Sequence, residues 1–396
     1  MSGGIKLNSN VKKLSENYLF KEMEEKVKVF SSRNPETVLL RLGVGDVSGP
    51  LPECIVAAAE KALIAQKETE TFRGYGPENG YEFCRNAVRD YYKNEMGAEI
   101  CSSDVFISDG AKSAIDRLLG CFSCDVVIPS PAYPAYYDCA ETKGLKIVAL
   151  ERFESDSFVP FPDKLKKKPY LIILCSPDNP TGVAYDKSVL ECWTEFAVKS
   201  GSVILFDNAY ERFIRGGKPR SIYAVKGAEM CAVEIGSLSK SACFTGMRLG
   251  WSVIPDGVAG GALKKTYKRI IGCGYNGAPY IIQRAAECAL SGEGIADCSA
   301  YITACRHNAA VLKKALTECG MTVYGGLHSP YLWLKCPFDL NSEETFDYFL
   351  SNCGIVITPG SGFGKGGDGF VRLSALCPSD TAEKASVRIK EVFGVR

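Results

Sequence analysis

The chain has 396 residues, with 47 Lys plus Arg against 46 Asp plus Glu and 46% hydrophobic residues. That length exceeds one ordinary hydrophobic core and predicts two domains, one large and one smaller. The near cancellation of charge, with no basic block beyond "KLKKKP" from Lys164, argues against nucleic acid or an anionic membrane as a partner.

The opening "MSGGIKLNSNVKKL" lacks the apolar core of a secretory signal and reads as an arm of a cytosolic protein. From about residue 100, apolar strand-like runs alternate with helix-like ones, which predicts βαβ units and a largely parallel sheet. The predicted strands are "VFISDG" (Val105), "DVVIPS" (Asp125), "KIVAL" (Lys146), "YLIILCSP" (Tyr170), "SVILFDNAY" (Ser202), "MCAVEIGS" (Met230) and "GWSVIP" (Gly250). None of these runs approaches the ~18 residues that a membrane span needs. The C-terminal third changes character, with helical "APYIIQRAAECALSG" and "YITACRHNAAVLKKALTECG" leading into "SPYLWLKCP", "GIVITPGSGFG" and "GFVRLSAL". The expected division is 1–50 as an arm and the first part of a small domain, 51–285 as the large domain, and 286–396 as the C-terminal small domain.

Eighteen cysteines are scattered singly through apolar segments and read as buried free thiols in a reducing compartment. Cys121 and Cys124 have CxxC spacing, but no second pair completes a zinc site, so no metal is expected. Two glycine clusters mislead. "GVGDVSG" at Gly43 misses the dinucleotide fingerprint by one residue, and "GSGFGKGG" at Gly360 has Gly366 where a phosphate loop needs Ser or Thr after Lys365. Both read as turns.

Four strands end in "SDGAK", "SPAYPAY", "SPDNPTG" and "DNAYERF", at the carboxyl edge where open α/β sheets collect their ligand sites. In "SLSKSACFTGMRLGW", Lys240 and Arg248 have no acidic neighbour, so both cations are free to face an anion that is not protein. With Ser237, Ser239 and the predicted helix start at Gly110–Lys112, they make an anion cup suited to a phosphate monoester. Asp207 ends a very apolar strand and needs a cation or a donor. A cofactor with a phosphate, a protonated ring nitrogen, a phenolate oxygen and an aldehyde meets these demands together, and pyridoxal 5′-phosphate has all four. Taken singly, the same residues have ordinary readings: Lys240 as an exposed lysine, Asn179 as a turn residue, Tyr136 and Tyr210 as core aromatics.

"CSPDNPTG", "FDNAY" and "SLSKSACFTGMRLGW", in that order, resemble the signature of fold type I pyridoxal-phosphate aminotransferases. "NYLF", "RLGVGD", "RGYGPENGY", "SDGAKSAIDRL", "PAYPAYYD", "PRSIY", "NGAPY", "SPYLWLK" and "ITPGSGFG" extend the resemblance, from about residue 15 to 376, to the LL-diaminopimelate aminotransferase family. The resemblance implies an α/β fold with a mostly parallel seven-stranded sheet in the large domain and a smaller α+β domain. It implies that Lys240 binds the cofactor aldehyde and moves the proton, that Asn179, Asp207 and Tyr210 hold the ring, and that Tyr136 stacks on it. Ala111, Lys112, Ser237, Ser239 and Arg248 face the phosphate, with Tyr75 reaching over from the other subunit of a homodimer. Arg372 clamps the substrate α-carboxylate. Asn276 is expected at cofactor and substrate, and Tyr18 and Gly45 at the substrate. Glu78 matches the residue placed for the distal ammonium of diaminopimelate; Lys112 and water would serve the distal carboxylate of 2-oxoglutarate.

The implied reaction moves an amino group between an amino acid and a 2-oxo acid by a ping-pong course, from LL-diaminopimelate to 2-oxoglutarate, in lysine and cell-wall precursor synthesis. A C–S β-lyase, an aromatic- or aspartate-type aminotransferase, and a non-catalytic cofactor-binding protein are the alternatives. Ser241, Cys243 and Asn208 depart from the family's usual residues, which are an aromatic or threonine, a glycine, and alanine or serine respectively.

Overall fold

A computed structural model describes residues 5–14 and 19–394. Its helices are α1 (Leu19–Arg33), α2 (Glu53–Ile64), α3 (Glu82–Tyr91), α4 (Ala111–Leu119), α5 (Pro134–Thr142), α6 (Lys187–Ser200), α7 (Ala262–Gly274), α8 (Tyr280–Ala289), α9 (Gly292–Glu318), α10 (Ser342–Tyr348) and α11 (Ser379–Phe393). The strands are β1 (Leu40–Arg41), β2 (Val105–Ser108), β3 (Val126–Ser130), β4 (Ile147–Glu151), β5 (Leu171–Cys175), β6 (Val203–Asp207), β7 (Ala232–Ser237), β8 (Gly250–Val253), β9 (Val323–Gly325), β10 (Tyr331–Lys335), β11 (Ile355–Val356), β12 (Thr358–Pro359) and β13 (Phe370–Ser374).

All seven apolar runs singled out in the sequence enter one sheet, in the order β2-β8-β7-β6-β5-β3-β4. Pairing is parallel from β7 to β4, and β8 alone runs against its neighbours β2 and β7. β3, β5, β6 and β7 are buried at every residue. Helices cover both faces of such a sheet, which is why these strands read as unbroken apolar runs rather than alternating ones. One face packs Ala114, Ile115, Leu118 and Tyr267 against the sheet, and the other packs Leu190, Trp193 and Ala197.

A second core forms around the four-stranded antiparallel sheet β12-β13-β10-β9, where Leu312, Leu316, Leu332, Leu373 and Ile389 are fully buried between α9, α11 and the strands. The chain's beginning joins it: β1 pairs in parallel with β11, Leu40 opposite Ile355. All eighteen cysteines are free thiols; nine are buried, but Cys101 and Cys273 are exposed, which corrects the expectation for those two. No helix among the described residues is long and apolar enough to cross a membrane.

Candidate active site

The carboxyl ends of β5, β6 and β7 lie side by side, because Cys175 pairs with Asp207 and Asp207 with Ile235. The next residues of each strand therefore reach one spot. From β5 comes the turn "SPDNPTG", from β6 Asp207 itself, and from β7 Ser237 followed by Lys240. β8, running the other way, begins at the same edge, with Gly250 opposite both Ser108 and Ser237.

At the floor, Asp207 is 6% exposed and has no cationic partner among the described residues. Its Oδ2 accepts from the Tyr136 hydroxyl at 2.5 Å and its Oδ1 from the Ala209 N–H at 3.2 Å. Burial pushes its carboxyl up, while those two donors pull the other way. A buried carboxylate without a cation takes the nearest phenol, and the Tyr136 ring meets Tyr133 edge-on at 5.6 Å. Tyr210 is buried and shares a hydrogen bond with Tyr331, hydroxyl to hydroxyl, at 2.9 Å.

Lys240 donates its ammonium to the Gly45 carbonyl. Burial chiefly brings its pKa down to about 8; Arg372 and Arg248 add to the fall and Asp46 opposes it. Arg372 is 1% exposed, fixed on β13 opposite Trp333 and Thr358. Its Nη1 donates to Asn179 Oδ1 at 2.7 Å and its Nη2 to the Gly43 carbonyl at 2.7 Å, which also accepts from Thr358 Oγ1. Nε has no partner, and the guanidinium lies over the rings of Tyr331 at 4.5 Å and Phe363 at 4.9 Å. No carboxylate among the described residues lies within ion-pair distance of it. The glycine turn after β1 is therefore part of the site: its carbonyls at 43 and 45 hold both cations.

The anion cup assembles at the start of α4. Gly110 is its N-cap at φ 115°, ψ 163°, and a Cβ there would stand 2.6 Å from Arg248 Nη2. Ser239 N–H donates to Ser237 Oγ at 3.1 Å and Ser237 Oγ donates to Ser239 Oγ at 3.0 Å, so the two hydroxyls lie together at the end of β7. Ala111 opens the helix, and Lys112 and Arg248 stand exposed at the rim. These are the groups a phosphate needs, namely helix-start N–H groups, two hydroxyls and exposed cations. Gly110→Ala is expected to raise the Kd for pyridoxal phosphate roughly tenfold or more, read by absorbance titration of apo-protein. Its φ and ψ belong to glycine alone, and a methyl would displace Arg248.

Tyr75, Glu78 and Asn276 form a second, exposed group, with Tyr75 93% exposed. Glu78 lies against Gly272, where a Cβ would be 3.1 Å from Oε2, and the 277 turn rests on the Pro77 carbonyl. No hydrogen bond or ion pair among the described residues links this group to Lys240, Asp207 or Arg372. Tyr18 lies outside the described residues. Tyr331, which touches Tyr210, Arg372 and the Gly45 turn, was not anticipated as a site residue; an aromatic inside an apolar strand signals only core.

Residues 37–389 match the pattern of the family described as aminotransferase class I and II. The chain belongs to the class I and II aminotransferases. It is 40% identical, over 98% of its length and 99% of the relative's, to the LL-diaminopimelate aminotransferase of Agathobacter rectalis. It is 39% identical to that of Lachnospira eligens with the same coverage. The solved structure of L,L-diaminopimelate aminotransferase from Chlamydomonas reinhardtii superposes with a TM-score of 0.91 at 36% identity, covering 98% of this chain and 99% of that one. This aminotransferase keeps Lys240, Asp207, Asn179, Tyr210, Arg248 and Arg372 in one cluster, while two of its departures have structural roles. Cys243 holds φ +58°, the left-handed geometry that suits the family's usual glycine, and Asn208 donates at 2.7 Å to both the Arg220 carbonyl and buried Glu234.

Proposed function

We propose that this aminotransferase transfers the amino group of LL-diaminopimelate to 2-oxoglutarate, with pyridoxal 5′-phosphate as cofactor and as a homodimer whose subunits share each site. The observation that carries the reading is Arg372, a buried guanidinium matched by an amide and a carbonyl but by no carboxylate among the described residues. Such a group fits a carboxylate brought in by an amino or oxo acid.

The cofactor, when bound, supplies an aldehyde for the amino group and a ring that accepts electrons from Cα. The chain's residues supply the rest. Asp207, buried and without a cation, would hold a protonated ring nitrogen through the lone pairs that Tyr136 and Ala209 leave open. Tyr210 and Asn179 would donate to the phenolate oxygen. The cup of Ala111, Ser237, Ser239 and Arg248 would hold the phosphate. Lys240, with an amine that is about half neutral near pH 8, would bind the aldehyde carbon and, once released by substrate, carry the proton between Cα and the cofactor. Arg372 would fix the α-carboxylate in two-pronged fashion, orienting the Cα–H bond toward Lys240.

Two features support the shared site. Tyr75 and Glu78 are exposed, with no hydrogen bond or ion pair among the described residues, and Val56, Leu63, Ile64 and Phe72 are exposed apolar residues that a second copy would cover. Across that contact Tyr75 would reach the phosphate and Glu78 the distal ammonium of the donor. Glu78→Gln is expected to lower kcat/KM for LL-diaminopimelate relative to glutamate by roughly 100-fold, because a charge partner that the second subunit would enclose is lost for one substrate only. The direct test mixes the yellow holoenzyme separately with LL-diaminopimelate, meso-diaminopimelate, aspartate and glutamate. Loss of the yellow band with LL-diaminopimelate and glutamate supports the reading; a response to aspartate but not to LL-diaminopimelate refutes it.

A further inference from the structure

Tyr331 sits at the start of β10, 1% exposed, with three neighbours that all belong to the site. Its hydroxyl meets that of Tyr210 at 2.9 Å. Its ring lies 4.5 Å beneath the Arg372 guanidinium. Its oxygen stands 2.2 Å from where a Cβ on residue 45 would be, so Gly45 is the residue that lets the phenol lie against the turn whose carbonyl takes Lys240. A phenol has one proton to donate. If Tyr210 donated to Tyr331, it would have none left for anything else. The guanidinium over the Tyr331 ring settles the direction: a cation at that face draws electron density from the phenol and makes Tyr331 the stronger donor. The electrostatics agree, since Arg372 pulls the Tyr331 hydroxyl down, against the burial that raises it, while Tyr331 adds to the burial that raises Tyr210.

We infer that Tyr331 is a positioning residue that donates its proton to Tyr210, leaving the Tyr210 proton free for the cofactor's phenolate oxygen, and that it braces the face of Arg372. The inference rests on the cofactor assignment above and extends it to a residue that acts through Tyr210 and Arg372. A hydroxyl that receives a hydrogen bond is a better donor itself, by cooperative polarisation. Tyr210 so polarised draws charge from the phenolate and lowers the pH at which the bound chromophore titrates.

The test uses the holoenzyme. Tyr331→Phe keeps the ring and removes the proton. The chromophore's titration midpoint, followed by absorbance, is expected to move up by roughly 0.3–1 pH unit, with kcat falling roughly three- to tenfold and KM unchanged. Tyr331→Leu removes the ring as well and is expected to give the same midpoint shift plus a KM raised roughly three- to tenfold for the amino acid. In a Tyr210→Phe background the Tyr331→Phe change is expected to leave the midpoint where it is. An unmoved midpoint in the single Tyr331 variants overturns the inference, whether or not their Tm drops, because lost packing alone lowers Tm without touching the chromophore. Should Tyr331→Phe not fold, the midpoint of Tyr331→Leu decides by the same criterion. Wild-type protein that takes up no pyridoxal phosphate removes the cofactor reading itself, which is a separate result from a wild-type chromophore that ignores Tyr331.

Discussion

Lys240→Ala abolishes amino-group transfer, with a loss of more than about 10⁴-fold in kcat, the upper end for removal of a general base. The fold survives the change. Lys240 is held where burial penalises its charge, so the native structure gains nothing from the ammonium and loses little when it goes. The same penalty sets a pH dependence. The neutral amine is the nucleophile, and a pKa lowered from 10.5 to about 8 makes roughly half of it neutral at pH 8, where an ordinary lysine holds well under one per cent. Apo-protein mixed with pyridoxal phosphate should therefore develop colour at a rate that rises with pH through about 8 and then levels. A rate still climbing beyond about pH 10 would show an unperturbed amine. Circular dichroism of Lys240→Ala checks that the fold persists, and arginine at the same position rescues nothing, because a guanidinium keeps its proton.

Arg372→Leu carries the second large effect, and it falls on substrate rather than on cofactor. The guanidinium spans Asn179 Oδ1 and the Gly43 carbonyl. Removing it leaves both acceptors buried and the incoming α-carboxylate without its partner. Loss of one member of a buried, hydrogen-bonded charge pair costs about 2–5 kcal/mol, so kcat/KM should fall roughly 30- to 5,000-fold, mostly through KM. Arg372→Lys should recover only part, since an ammonium cannot reach both acceptors and a carboxylate in one plane. Binding of pyridoxal phosphate, which the proposed function assigns to other residues, should stay within about twofold of wild type. Steady-state kinetics with glutamate and an absorbance titration separate the two; equal losses in both would place Arg372 in the general scaffold instead.

Much of this was legible in the sequence because the large sheet is buried on both faces. Its strands then cannot alternate, and runs such as "LIILC" and "VILF" end abruptly at the polar residues that the site uses. Lys240, Arg248 and Asp207 stood out by charge without a local partner, which is what a ligand-facing group looks like in one dimension. The contributions of Gly43 and Gly45 were harder to see, since a backbone carbonyl leaves no mark in residue type, and a glycine-rich turn suggests only a turn. Tyr331 looked like core because it is core; its hydroxyl became informative only once Tyr210, 121 positions earlier, was found beside it. Long-range partners hide in the same way. Arg152 and Asp178, a fully buried ion pair at 3.1 Å, anchor the turn that presents Asn179, with Asp178 accepting from Thr181 N–H at 3.1 Å. Neither residue carries a motif that announces the other. Tyr75, Glu78 and Asn276 lie on an exposed surface, and if a second copy of the chain completes the site there, as proposed, spacing within one chain does not encode that contact.

The proposed function requires a covalent bond between Lys240 Nζ and the aldehyde carbon of pyridoxal phosphate. Borohydride reduction of the yellow holoenzyme, followed by peptide mapping, should place a single pyridoxyl group on the peptide containing Ser239-Lys240-Ser241. A pyridoxyl group on another lysine, or none after reduction of a protein that is visibly yellow, would contradict it.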